Sequence, residues 1–145
     1  MGIEREHAYY RKDLALEQLE TALRLYFECK EYASVITLAG AADEVFGKLL
    51  AASGEETSLE SLIKAVNEIH KKIYGEPTEA KFIARRANNA RNNLKHWDIG
   101  DDVIIKLNLK TEAQDMLNRA IDNYWSLEQM LTPAMEKFQR AMLAT

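Results

Sequence analysis

Proline occurs twice and glycine six times in 145 residues, and cysteine once. So few chain breakers exclude a turn-rich β architecture and favour long helices. A lone cysteine, Cys29, excludes an internal disulfide, and a reducing, cytosolic setting is the plain expectation. With no catalytic partner marked nearby, Cys29 reads as a small buried hydrophobe. The first residues, "MGIEREHAYYRKD", lack the apolar core of a signal peptide. No apolar run approaches a membrane span, so no membrane partner is expected. What is present suits a folded chain: 47% hydrophobic and 29% charged residues, in a length that one domain accommodates with a real core.

Apolar periodicity divides the chain into helices. Helix one is expected over about residues 5–29, with Leu16, Leu19, Leu23 and Tyr26 or Phe27 recurring on one side. Its early residues are polar, and 1–11 read as frayed, with His7 on the surface. Helix two runs over about 32–52. Val35, Leu38, Ala42, Val45, Phe46 and Leu49 form a wide stripe, the small run 39–42 allows close helix approach, and two acids, Asp43 and Glu44, sit inside this apolar element. Helix three spans about 59–74, with Ser58 or Thr57 as N-cap and Gly75 as its stop. His70 on it reads as surface or capping. Pro77 and Thr78 open helix four, about 78–97. "VIIKLNLK" (103–110) reads as either a short extended segment or a packed loop. Thr111 caps helix five, about 112–131, with Ala113, Leu117, Ala120, Tyr124 and Leu127 inward. Pro133 separates a short last helix. The fold class is therefore all-α, an antiparallel up-and-down bundle of four or five main helices in a single domain over 1–145.

Helix four carries the chemistry. Its stretch "NNARNNLKHWD" (88–98) packs four asparagines beside basic residues, although asparagine is a mediocre helix former. Between residues 80 and 97 lie Lys81, Arg85, Arg86, Arg91 and Lys95 and no acid. The whole chain is at −4, so the remainder carries −9. An acidic body excludes coating of nucleic acid by bulk charge, while the strip itself suits a focused anion site. At about 100° per residue, Ile83, Ala87, Ala90, Leu94 and Trp97 fall in one seam. Asn92 lies opposite, with Arg85, Asn89 and His96 near it and Arg91 and Lys95 on a flank. Arg91 and His96 point about 140° apart on an ideal helix. They converge only through the length of the arginine or through a second copy. Three scattered histidines, one cysteine and no H-E-x-x-H leave no metal site to assign. No glycine-rich phosphate loop is present, and no cofactor is implied.

Arg91-Asn92-Asn93-Leu94-Lys95-His96 resembles the signature of the HEPN superfamily: an arginine, a polar residue, then a histidine after four to six intervening positions. It falls late in a long helix of a small all-α chain. The earlier "ITLAGAADEVFGKLL" is similar to the HEPN helix bearing small residues and an acid. The resemblance covers about residues 12–131. It implies a helical bundle, commonly a homodimer, and in many members metal-independent RNA cleavage. Carried over, Arg91 and His96 are the catalytic pair and Asn92 the polar helper. Lys95, Arg85, Asn88 and Asn89 are substrate-binding, and Asp43 or Glu44 is the supporting acid. It further implies RNA as substrate and an antitoxin protein as partner. In toxins paired with a small nucleotidyltransferase a tyrosine often stands two residues after the histidine. Here that position is Asp98, preceded by Trp97, so the residue that would be nucleotidylated is missing.

The chemistry of these side chains fits the resemblance independently. RNA supplies its own nucleophile, the 2′-hydroxyl. A histidine moves protons near neutral pH, and an arginine offers a planar fork to phosphate oxygens. The alternatives are a non-catalytic dimer of the same kind that binds RNA, a nucleotide or a protein, and a plain bundle whose asparagines are solvated surface.

Overall fold

A computed structural model describes residues 2–145. The described residues are all-helical, with seven helices packed together: α1 (Arg11–Arg24), α2 (Tyr32–Ala52), α3 (Ser58–Tyr74), α4 (Ala80–Ala87), α5 (Asn89–Lys95), α6 (Leu109–Glu128) and α7 (Pro133–Leu143). No helix among them is long and apolar enough to cross a membrane.

The core is built on α2. Its buried Val35, Ile36, Ala39, Ala42 and Phe46 meet Leu19, Ala22 and Leu23 of α1 and Leu117, Ala120 and Ile121 of α6. α7 adds Met135 and Phe138. Phe138 sits edge-on to Tyr26, with ring centres 5.4 Å apart. Small side chains at 39, 40 and 42 let neighbouring helices approach α2 closely, as the run 39–42 predicts.

Sequence and structure agree closely on α2 and α3. Thr57 caps α3 by accepting a hydrogen bond from the Glu60 amide at 3.1 Å. Gly75 ends it at φ 80°, with its amide donating to the Lys71 carbonyl. Positive φ there is what only glycine adopts without penalty. Thr57→Ala removes the acceptor and is expected to cost about 1 kcal/mol in urea denaturation, with an unchanged slope.

Elsewhere the structure corrects the pattern. Helix one begins at Arg11, not near 5, and its last turn widens into a π-helical turn, Leu25–Cys29, closed by Lys30 at φ 55°. Cys29 is exposed at the end of that turn, not buried. Helix four does not run unbroken from 78 to 97. It starts at Ala80, breaks at Asn88 (φ −101°, ψ 2°), and stops at Lys95, after which His96 is extended. Trp97 consequently leaves the packing seam and is 59% exposed. Residues 103–107 are irregular, and 109–110 already belong to α6, capped by the Asn108 side chain and not by Thr111. His70 is half-buried, with Nδ1 2.6 Å from the Glu76 carbonyl and its ring against Tyr74.

Burial is uneven. α3 contains no buried residue, α4 only Ile83 and α5 only Ala90. The segment carrying the asparagine cluster is thus a thin layer laid over a core made by α1, α2, α6 and α7.

Candidate functional site

The break between α4 and α5 has an identifiable cause. Arg119 of α6 is 8% exposed and donates through Nη1 to the Ala87 carbonyl (3.1 Å) and to Asn88 Oδ1 (2.9 Å). In an unbroken helix the Ala87 carbonyl would take the Arg91 amide. A guanidinium takes that role, and the helix turns at Asn88. The other end of the fork, Nη2, donates to Asp43 Oδ2 at 2.8 Å, and Asn123 Nδ2 donates to Asp43 Oδ1 at 2.9 Å. Asn123 Oδ1 in turn accepts from the Ser58 amide at 2.8 Å. One buried network therefore ties α2, α3, α6 and the α4–α5 junction together.

In its electrostatics burial outweighs pairing at both charged ends. Burial pushes the Asp43 carboxyl up, and the positive charges of Arg119 and Arg91 pull it back. Burial likewise draws Arg119 down while Asp43 supports its charge. A carboxylate in an apolar stripe is tolerated only when paired and hydrogen-bonded. Asp43 meets both conditions. The sequence carried that signal, since an acid inside the stripe of α2 demands a buried cation. Arg119 and Asn123 were nevertheless missed, because they flank an otherwise apolar face of α6.

Arg91 lies across α2. It is half-buried, and its stem rests on Gly40: a Cβ built there would sit 2.6 Å from Arg91 Cδ and 3.0 Å from Cγ. Glu44, one turn along α2, is lowered first by the hydrogen bond from Lys48 at 3.0 Å. The charges of Lys48, Arg91 and Lys95 add to this. Gly40→Ala should move stability by less than about 1 kcal/mol, because alanine improves the helix while crowding only a flexible stem. Arg91 must then shift, and any activity that needs it should fall roughly a hundredfold, the penalty of a misplaced group. Thermal denaturation beside an RNA assay separates the two effects.

His96 occupies a different place. It lines a groove of about 570 Å³ with Asn89, Asn93, Trp97, Asp101 and Asp102, roofed by the irregular segment before α6. Asn93 Nδ2 donates to both the carbonyl and Oδ1 of Asn89 at 2.9 Å, so these two amides are joined along one face of α5. Asn92, Arg85 and Lys95 are exposed, as the helical wheel predicts, and so is His96, which lies past the end of α5. Asn88 is not open in the same way, since its oxygen is committed to Arg119. Asp43 and Glu44 both stand beside Arg91, Asp43 buried and Glu44 half-buried. Within one chain no hydrogen bond joins Arg91 to His96 among the described residues, and their settings differ: one on α2, the other in the groove. No group of three or more His, Cys, Asp or Glu among the described residues is placed to hold a metal ion. Compared with known proteins, the chain matches no family model, no curated sequence and no solved structure.

Proposed function

We propose that the chain is a HEPN-like endoribonuclease, in which His96 and Arg91 act on a phosphodiester of RNA without a metal. The observation that carries this reading is the buried Asp43–Arg119–Asn123 network. It anchors the α4–α5 junction from behind at Ala87 and Asn88, while Asn92 and Lys95 of α5 and His96 just past its end are exposed. Sites held on locked elements are what positioning a reacting group requires.

In the reaction the 2′-hydroxyl loses its proton to a base, O2′ bonds to phosphorus, and the bond from phosphorus to O5′ breaks. The leaving oxygen takes a proton. The products are a 2′,3′-cyclic phosphate and a 5′-hydroxyl. An imidazole serves either proton step, and the Arg91 fork stabilises the charge on the equatorial oxygens. A homodimer, which the resemblance commonly implies, would let two His96 divide the acid and base roles. An antitoxin and a role in RNA processing, stress response or phage defence belong to the same proposal.

The test is incubation of the purified protein with RNA in EDTA. Cleavage with cyclic phosphate ends is expected, and intact RNA overturns the reading. A second reading, a non-catalytic binder of RNA, a nucleotide or a protein, is favoured by one observation. Arg91 is laid on Gly40 while His96 shares its groove with Asp101 and Asp102, whose charges repel phosphate. Retention of RNA without product, lost on Arg85→Ala with Lys95→Ala, would select that reading.

A further inference from the structure

The groove at the end of α5 carries acids, and acids are a poor lining for a phosphate. They suit a nucleobase, which is neutral and offers N–H donors. At about 570 Å³ the groove lies within the range of small-molecule sites, roughly 300–1,000 Å³. Trp97 on its wall is 59% exposed, because α5 stops at Lys95 and leaves the indole no helix seam to enter. Ile105, from the irregular segment before α6, lines the same groove. A single-stranded base is held in such a setting, stacked on an aromatic ring and hydrogen-bonded along its Watson–Crick edge.

The polar groups select among the bases. Asn93 commits its amide nitrogen to the Asn89 carbonyl and Oδ1, both at 2.9 Å. What remains is Asn93 Oδ1 as an acceptor and Asn89 Nδ2 as a donor. Asp101 Oδ2 accepts from the Asp98 amide at 3.1 Å, within the turn after α5. Its neighbour Asp102 is exposed and enters none of the ion pairs among the described residues, so its carboxylate is open to a ligand.

A free carboxylate is two acceptors side by side. Among the four RNA bases, guanine presents two adjacent donors on its Watson–Crick edge, N1–H and the N2 amino group. Its O6 stands beside them as an acceptor for an amide such as Asn89 Nδ2. Adenine and cytosine each set a ring lone pair next to their amino group, and uracil flanks its one N–H with two carbonyls. Each of these three brings a lone pair against the carboxylate.

We infer that this groove is a guanine subsite for single-stranded RNA: Trp97 stacks the base, Asp102 accepts from N1 and N2, and Asn89 donates to O6. The inference rests on the reading of the chain as one that engages RNA, and it names the nucleotide that reading leaves open. His96 lines the same groove, so the recognised guanosine flanks the phosphodiester on which His96 acts. Lys106, also on the lining, offers a cation to a backbone phosphate beside the acids.

The test is fluorescence anisotropy with short labelled 2′-O-methyl oligonucleotides, which lack the nucleophile and are not cut. Base recognition is thereby read apart from cleavage. A protein inactive on ordinary RNA leaves this result standing, and loss of guanine preference leaves the cleavage assay standing. An oligouridine carrying one central guanosine should bind about tenfold or more tighter than plain oligouridine or the same strand with adenosine. Trp97→Ala should weaken the guanosine strand by about tenfold or more, and Trp97→Phe should recover part of the loss. Asp102→Asn should abolish the preference for guanosine over adenosine. A carboxylate that merely repelled RNA would, once neutralised, strengthen every strand alike and leave the ratio untouched. Both positions are exposed and outside the helices, so helical circular dichroism should not change. Equal affinity for the three strands, or none for any, overturns the inference. So does a ratio unmoved by Asp102→Asn. So does guanosine 5′-monophosphate competing as tightly as the guanosine strand, which would make the groove a site for the free nucleotide.

Discussion

Replacing Arg119 with alanine is expected to destabilise the protein by about 3–5 kcal/mol, the usual cost of removing one partner from a buried ion pair. The penalty comes from what is left behind. Asp43 is 5% exposed, and without the guanidinium it keeps only the Asn123 amide. The Ala87 carbonyl and Asn88 Oδ1 lose their donor in the same step. Neutralising Asp43 by protonation offsets part of the cost, and burial already raises that carboxyl. Urea denaturation measures the loss. Arg119→Lys should recover little, because a point charge does not reach Asp43, Ala87 and Asn88 together as a planar fork does. Arg119→Met combined with Asp43→Leu should be far milder than Arg119→Ala alone, since an apolar pair leaves no buried charge unmatched. If Arg119→Ala melts like the wild type, the network does not support the α4–α5 junction.

The second large effect is kinetic. His96→Ala is expected to reduce RNA cleavage by about 10²–10⁴-fold, the range over which a positioned acid or base contributes. Stability should stay within about 0.5 kcal/mol, as for an ordinary exposed surface position. His96 is exposed and follows the last residue of α5, so the helix does not depend on it. The cleavage rate is read from cyclic phosphate ends in EDTA, with the melting curve run beside it. Undiminished cleavage removes His96 from the mechanism. A comparable fall in Arg91→Ala with an intact fold assigns the phosphate to that fork. His96→Ala and Arg119→Ala are informative together, because one separates chemistry from folding and the other couples them.

Local rules made much of this architecture legible. α2 was readable from end to end because its apolar stripe is dense. α3 was readable because Thr57 and Gly75 carry their own capping chemistry. The exposure of Asn92 and Arg85 followed from helical period alone, whereas His96 is exposed past the end of α5. The break at Asn88 was not readable in the same way, because its cause lies on α6, about thirty residues further on. A seam that reaches Trp97 needs two more residues of helix than exist. Arg91 and His96 share a short motif, but Gly40 draws one across α2 while the end of α5 releases the other into a groove. Contacts distant in sequence, polar at Asn88 and steric at Gly40, decided the course of this segment, and periodicity carries no information about them.

The exposed thiol of Cys29, the only cysteine in the sequence, ends the π turn that follows α1. It offers a single attachment point for a spin label. In an assembly of two identical chains, one label on each gives one distance. A pulsed electron-resonance measurement of that distance reports how the protomers are arranged without altering any residue of α3, α5 or the buried network.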